Sequence, residues 1–239
     1  MLRKLLLSTM LAVAGSLWLT SVARGDDPGR INAYVTPYYD SSGPVIRIGK
    51  YSAGLASKNP GDFVATILRM KKQWRDLNLI ELYVGAIRLY DLGYRKEATY
   101  WFYTAQYRGR LFGLLIDQKK MGSIGNRGFE LFHAQDAFFQ LVGPDINGYA
   151  FGDIDWLVGI IRRVQNDNRT VPNLQTIYPG VAVKPKSQWQ SQNLELDMDL
   201  GQLAGLLTSK KDEIRRQRAQ NGTQARFSQL PERQFPGGL

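Results

Sequence analysis

Apolar positions recur at helical spacing over two adjacent stretches, residues 79–90 and 95–107, separated by Asp91-Leu92-Gly93-Tyr94. Leu82, Ala86 and Leu89 share a face of the first stretch, and Ala98, Phe102 and Ala105 share a face of the second. Two short amphipathic helices joined by a tight turn are therefore predicted. Further stripes flank this hairpin. Phe63, Ile67, Met70 and Trp74 follow the turn Asn59-Pro60-Gly61-Asp62, which ends in a good N-cap, and Lys71, Lys72 and Arg75 crowd the last turn as the helix dipole favours. A helix from Phe129 to Val142 should stop at Gly143-Pro144, and Asp153 should cap another that carries Ile154, Trp156, Leu157, Ile160, Ile161 and Val164. A last helix has Leu196, Leu200, Leu203 and Leu207 on one face, with Glu195, Asp197 and Asp199 at its start and Lys210, Lys211, Arg215 and Arg216 toward its end. The expected fold class is mostly α: an irregular helical bundle around the hairpin.

Between and beyond these stripes the composition changes. Residues 26–58 are rich in Gly, Pro, Ser and Tyr and read as an extended arm, in which Ile31 to Tyr39 and Val45 to Ile48 could pair as a small β-hairpin with Pro37 confining the first strand to an edge. Tyr34, Tyr38, Tyr39 and Tyr51 either hold this arm down or meet a partner. Residues 59–167 form the helical domain, 168–193 a proline-containing connecting arm, 194–220 the C-terminal amphipathic helix, and 221–239 a tail expected to be disordered. The C-terminal helix can dock on its own body or reach another chain.

Small residues fall where two antiparallel helices would touch, at Gly85, Ala86, Ala98 and Ala105. In this the stretch 79–112 resembles one degenerate unit of the tetratricopeptide and Sel1-like repeats. Leu82, Gly85, Ala86 and Leu89 stand at the first-helix positions of that pattern, Ala98 and Phe102 at its A-x3-F, Ala105 at its later alanine and Arg110 where proline is usual. An ordinary αα-hairpin with close packing is the alternative. The resemblance implies a protein that binds other proteins.

The amino terminus has the three parts of a secretory signal: Arg3 and Lys4, an apolar run from Leu5 to Leu19, and small residues before Asp26. The apolar run is short of the roughly 20 residues that a membrane span needs, so cleavage near Arg24 or Asp26 is expected, within residues 1–25. With no cysteine in the chain there is neither a lipid-attachment site nor a disulfide, and periplasmic or secreted localisation in a bacterial envelope is the expected destination. The formal charge of +10 falls to +7 once Arg3, Lys4 and Arg24 are removed. That excess permits an acidic protein partner or peripheral contact with the wall or membrane surface, and the scattered bases argue against nucleic acid.

The residues offer little catalytic chemistry. Glu130 and the single histidine, His133, form an E-x-x-H pair without the second pair a di-iron site requires. The loop Gly122 to Gly128 precedes a helix but lacks the GK[ST] of a phosphate-binding loop, and Asp145, Asn147, Asp153 and Asp155 do not have the spacing of a calcium loop. No metal, cofactor or catalytic residue is assigned. The expected function is an exported, non-catalytic protein-binding or adaptor protein of the envelope, with an immunity protein against a secreted toxin as one form. A peptidoglycan hydrolase using carboxylates such as Glu81, Glu97 or Glu130 is the rival. The expected partner-binding residues are Tyr100, Tyr103, Tyr107, Arg108 and Arg110, because exposed Tyr and Arg can supply most of an interface's energy. Packing of Tyr100 and Tyr103 against neighbouring helices is the competing expectation.

Overall fold

A computed structural model describes residues 27–43 and 45–238, so the expected secretory signal lies outside the described residues. The fold is mostly α-helical with a small antiparallel sheet near the amino terminus. Three two-residue strands, β1 (Tyr34–Val35), β2 (Tyr39–Asp40) and β3 (Val45–Ile46), form a meander in which Val35 pairs with Tyr39, and Tyr39 with Ile46. The stretch expected as one strand is thus split in two, because Pro37, which has no N–H to give a ladder, sits in the turn between β1 and β2. Ile31, Ala33, Val35 and Tyr39 are buried against the helices, and the Ile31 N–H donates to Asp91 Oδ1 at 2.9 Å.

Helix α1 (Ser52–Ala56) leads to α2 (Pro60–Lys72), whose cap is Asn59, accepting from the Gly61 N–H, and not Asp62. Proline at the first helical position makes this the natural start. Helix α3 (Leu79–Asp91) opens with a reciprocal capping box between Asn78 and Glu81. Gly93, at φ +87°, reverses the chain into α4 (Arg95–Leu115). This helix does not end at Tyr107. It takes in the apolar run Leu111 to Leu115 and becomes the centre of the molecule, packed against α3, α5 (Arg127–Ala150), α6 (Ile154–Asp167) and α8 (Trp189–Ser209). The α3–α4 crossing is close enough that a methyl group at Gly85 would collide with the Trp101 ring.

Helix α5 runs straight through Gly143-Pro144, against expectation. Pro144 and the Gln140 carbonyl it leaves without an intrahelical donor are both on the solvent side, while Val142, Ile146 and Ala150 bury the other face. Asp153 caps α6 by accepting from the Trp156 N–H at 3.1 Å. The segment expected as a loose connecting arm carries α7 (Leu174–Ile177) and is packed: the Leu79 N–H donates to the buried Tyr178 hydroxyl, and Val183 bridges to Ile116. Helix α8 docks on its own body, burying Leu196, Leu200, Ala204 and Leu207, and α9 (Lys211–Gln220) and α10 (Thr223–Ser228) follow it. Residues 229–238, expected to be disordered, instead run across the α3–α4 turn and bury Phe235.

Candidate functional site

The expected partner-binding residues all lie on α4, and the centrality of that helix decides their fate. Tyr100, Tyr103, Tyr107 and Arg108 are buried and Arg110 is partly buried, so they do not form the exposed face that was expected. Their polar tips tie α4 to the segments around it. The Tyr100 hydroxyl donates to Asp167 Oδ2 at the end of α6 (2.6 Å), with its ring stacked on Trp74. Tyr103 donates to Asn147 Oδ1 on α5 (3.0 Å), and Tyr107 to Asn193 Oδ1 on α8 (3.0 Å). Arg108 Nε donates to Asn168 Oδ1 at 2.9 Å and its Nη1 to the Trp74 carbonyl at 2.6 Å. Desolvation in this site lowers the Arg108 pKa to about 10. Arg110 lies with its guanidinium 5.9 Å from the centre of the Phe139 ring.

The acids named for the hydrolase reading also hold structure. Glu81 completes the α3 capping box. Glu97, 2% exposed, pairs with Lys71 Nζ at 2.8 Å and accepts from Trp101 Nε1. Glu130 accepts from the Gly125 N–H at 2.9 Å, so a donor of the glycine loop already faces a carboxylate of the same chain. His133 is exposed beside Phe129. The Asp91 carboxyl is perturbed most by its surroundings at the start of the arm: burial pushes it up to about 6, while the Ile31 N–H, Arg88 and Arg30 favour its charged form and Asp145 opposes it. Among the described residues no group of three or more His, Cys, Asp or Glu could hold a metal ion, and no helix is long and apolar enough to cross a membrane.

An outward face with exposed apolar side chains lies elsewhere, on the paired helices α6 and α8. These run antiparallel, since Lys211 at one end meets Asp155, Gln165 Nε2 donates to the Asp197 carbonyl midway, and Gln190 donates to the Arg169 carbonyl at the other end. Leu194 and Met198 project from α8 with 58% and 57% of their surface exposed. Beyond them on the same side come Gly201 and Gly205, and the antiparallel register sets Gly159 of α6 near Gly205. A Cβ at Gly159 or Gly205 would meet nothing within 4 Å, and at Gly201 only Gln165 Nε2 at 3.5 Å. Arg162 and Arg169 stand exposed along the α6 side. The sequence signal for this face was the spacing Leu194, Met198, Gly201, Gly205, the reverse of the leucine stripe, but reading α8 for its buried side alone passes over it.

The chain matches no family model, no curated protein and no solved structure.

Proposed function

We propose that the protein is an exported, non-catalytic binding protein of the bacterial envelope, and that it holds an amphipathic helix of a protein partner across the outward face of α6 and α8. The observation that carries this reading is the exposed pair Leu194 and Met198 beside a floor of glycines. Large apolar side chains one helical turn apart, next to backbone that carries no side chains, suit the close approach of a second helix. The exposed Arg162 and Arg169 favour an acidic edge on that helix, in keeping with the +7 charge from residue 26 onward. The signal-like amino terminus supports export, and the tetratricopeptide-like positions of the α3–α4 hairpin support a protein-binding ancestry in which the hairpin supplies the core. An envelope adaptor and an immunity protein are both compatible with such a face.

A photo-crosslinking residue at position 198 of the full chain, expressed in the producing cell, tests this. A discrete adduct is expected, with the partner peptide mapping to an amphipathic helix and the adduct abolished by Gly205→Arg. Absence of an adduct, or one unaffected by that substitution, would contradict the assignment. Clearing of peptidoglycan by the purified protein, lost on replacing one acid, would replace it with the hydrolase.

A further inference from the structure

The carboxy-terminal segment 229–238 is bound to the body as an extended peptide is bound by a receptor. Most of it is exposed, and its attachment rests on a few specific points. Helix α4 has no side-chain cap of its own, and its first turn is served by Glu232: the Lys96 N–H donates to Glu232 Oε1 at 3.2 Å, and the Tyr149 hydroxyl holds Oε2 at 2.9 Å. At the other side of the turn, the Gly93 carbonyl at the end of α3 accepts from the Arg233 N–H at 2.8 Å, and Arg95 Nη1 donates to the Pro231 carbonyl. Three residues after Glu232, Phe235 is 4% exposed, edge-on to Tyr94 at 5.3 Å, with Lys71 Nζ 4.8 Å from its ring centre. Lys71 also donates to the Gly238 carbonyl at 2.8 Å while it pairs with Glu97, whose second oxygen, Oε2, is buried without a partner.

Several of these contacts are to backbone atoms, which any extended peptide presents. Side-chain selectivity comes from one carboxylate at a helix amino terminus and one aromatic ring under a lysine. We infer that the groove formed by α2, the α3–α4 turn and Tyr149 is a peptide-binding site for an extended partner segment with an acid and an aromatic residue three positions apart, and that the chain's own tail occupies it in cis. The site is distinct from the outward face of α6 and α8 and stands or falls separately. A segment anchored by one buried ring, the partly buried Leu230 and a handful of exposed or part-buried hydrogen bonds opens at lower free energy than the helical core. Its covalent attachment gives it a high effective concentration, so a competing partner must match both anchors or reach the groove while the tail is off.

The test uses the full chain and a fluorescein-labelled peptide of residues 229–238. In a variant carrying Glu232→Ala and Phe235→Ala the tail is weakened, and the labelled peptide should bind at least about 10-fold more tightly than it binds the unaltered chain. Hydrogen exchange at Lys96 and Arg233 should rise in that variant while exchange in α4 beyond the first turn is unchanged, which separates tail release from unfolding. Adding Lys71→Met to the variant should abolish binding of the peptide. Equal binding to altered and unaltered chains, or no binding to a variant whose tail is released, would overturn the inference.

Discussion

Helices α4 and α8 have the same length and opposite logic. Each has 21 residues, but α4 places Arg95, Glu97, Thr99, Thr104 and Arg108 inside the molecule, whereas α8 leaves Leu194 and Met198 outside it. The difference lies in their neighbours. Helix α4 is surrounded by α3, α5, α6 and α8, so each of its polar side chains must find a partner within the protein, and Thr99 and Thr104 do so by donating to carbonyls one turn back in their own helix. Helix α8 has α6 and α4 on its inner side, and its outer side is left to solvent. Tyrosine and arginine mark an interface only where the helix has a free face. On α4 they are the bonds that hold a polar core together.

The polar ties of α4 can be removed one at a time. Arg108→Ala would strand Asn168 Oδ1 and the Trp74 carbonyl in the interior, and a loss of about 1 to 3 kcal/mol for each stranded acceptor is expected in urea unfolding. An unchanged midpoint would return Arg108 to the surface and the interface reading with it.

Asp91 provides a second lever, through pH. Its carboxyl is raised above the unfolded value of 3.8 to about 6, so the native state binds the proton more tightly. The contribution of this group is full below about pH 4, diminishes as pH rises through 6, and is absent above that, a span of up to about 3 kcal/mol. Asp91→Asn keeps an acceptor for the Ile31 N–H and removes the charge. Unfolding free energies at pH 5 and pH 7 should differ less in this variant than in the unaltered protein, and parallel pH curves would sink the assignment.

Packing at the α3–α4 crossing comes next in size. Ala98 and Ala105 are fully buried, and replacing either by Leu should destabilise by about 1 to 3 kcal/mol through overpacking. Thermal midpoints left unchanged in both variants would argue against the crossing. The smallest effect is expected on the outward face: Met198→Asp should leave stability within about 0.5 kcal/mol while removing partner binding. A stability loss as large as that of Ala98→Leu would show Met198 to be part of the core.

How much of this was legible in the sequence follows the same division. Regular apolar spacing located the hairpin, the capped start of α6 and the leucine stripe of α8, because burial of one face writes itself directly into the period. Termini were less legible. Gly143-Pro144 reads as a stop, yet α5 tolerates it because the lost hydrogen bond faces water, a fact of tertiary placement. Residues 229–238 have the composition of a loose tail, and only the meeting of Glu232 with Lys96 and of Phe235 with Lys71 and Tyr94 fixes them. The exposure expected of Tyr100, Tyr103 and Tyr107 failed for a related reason: the part of α4 that carries them is covered by α5, α6 and α8, distant in sequence.

If α8 and not α4 presents the binding face, a paired crosslinking measurement in the living cell separates the two helices. With a photo-reactive side chain placed at Met198 in one protein and at Tyr103 in another, an intermolecular adduct is expected from position 198, and from position 103 only linkage to the protein's own α5, where Tyr103 meets Asn147. An intermolecular adduct from position 103 with none from 198 would contradict it.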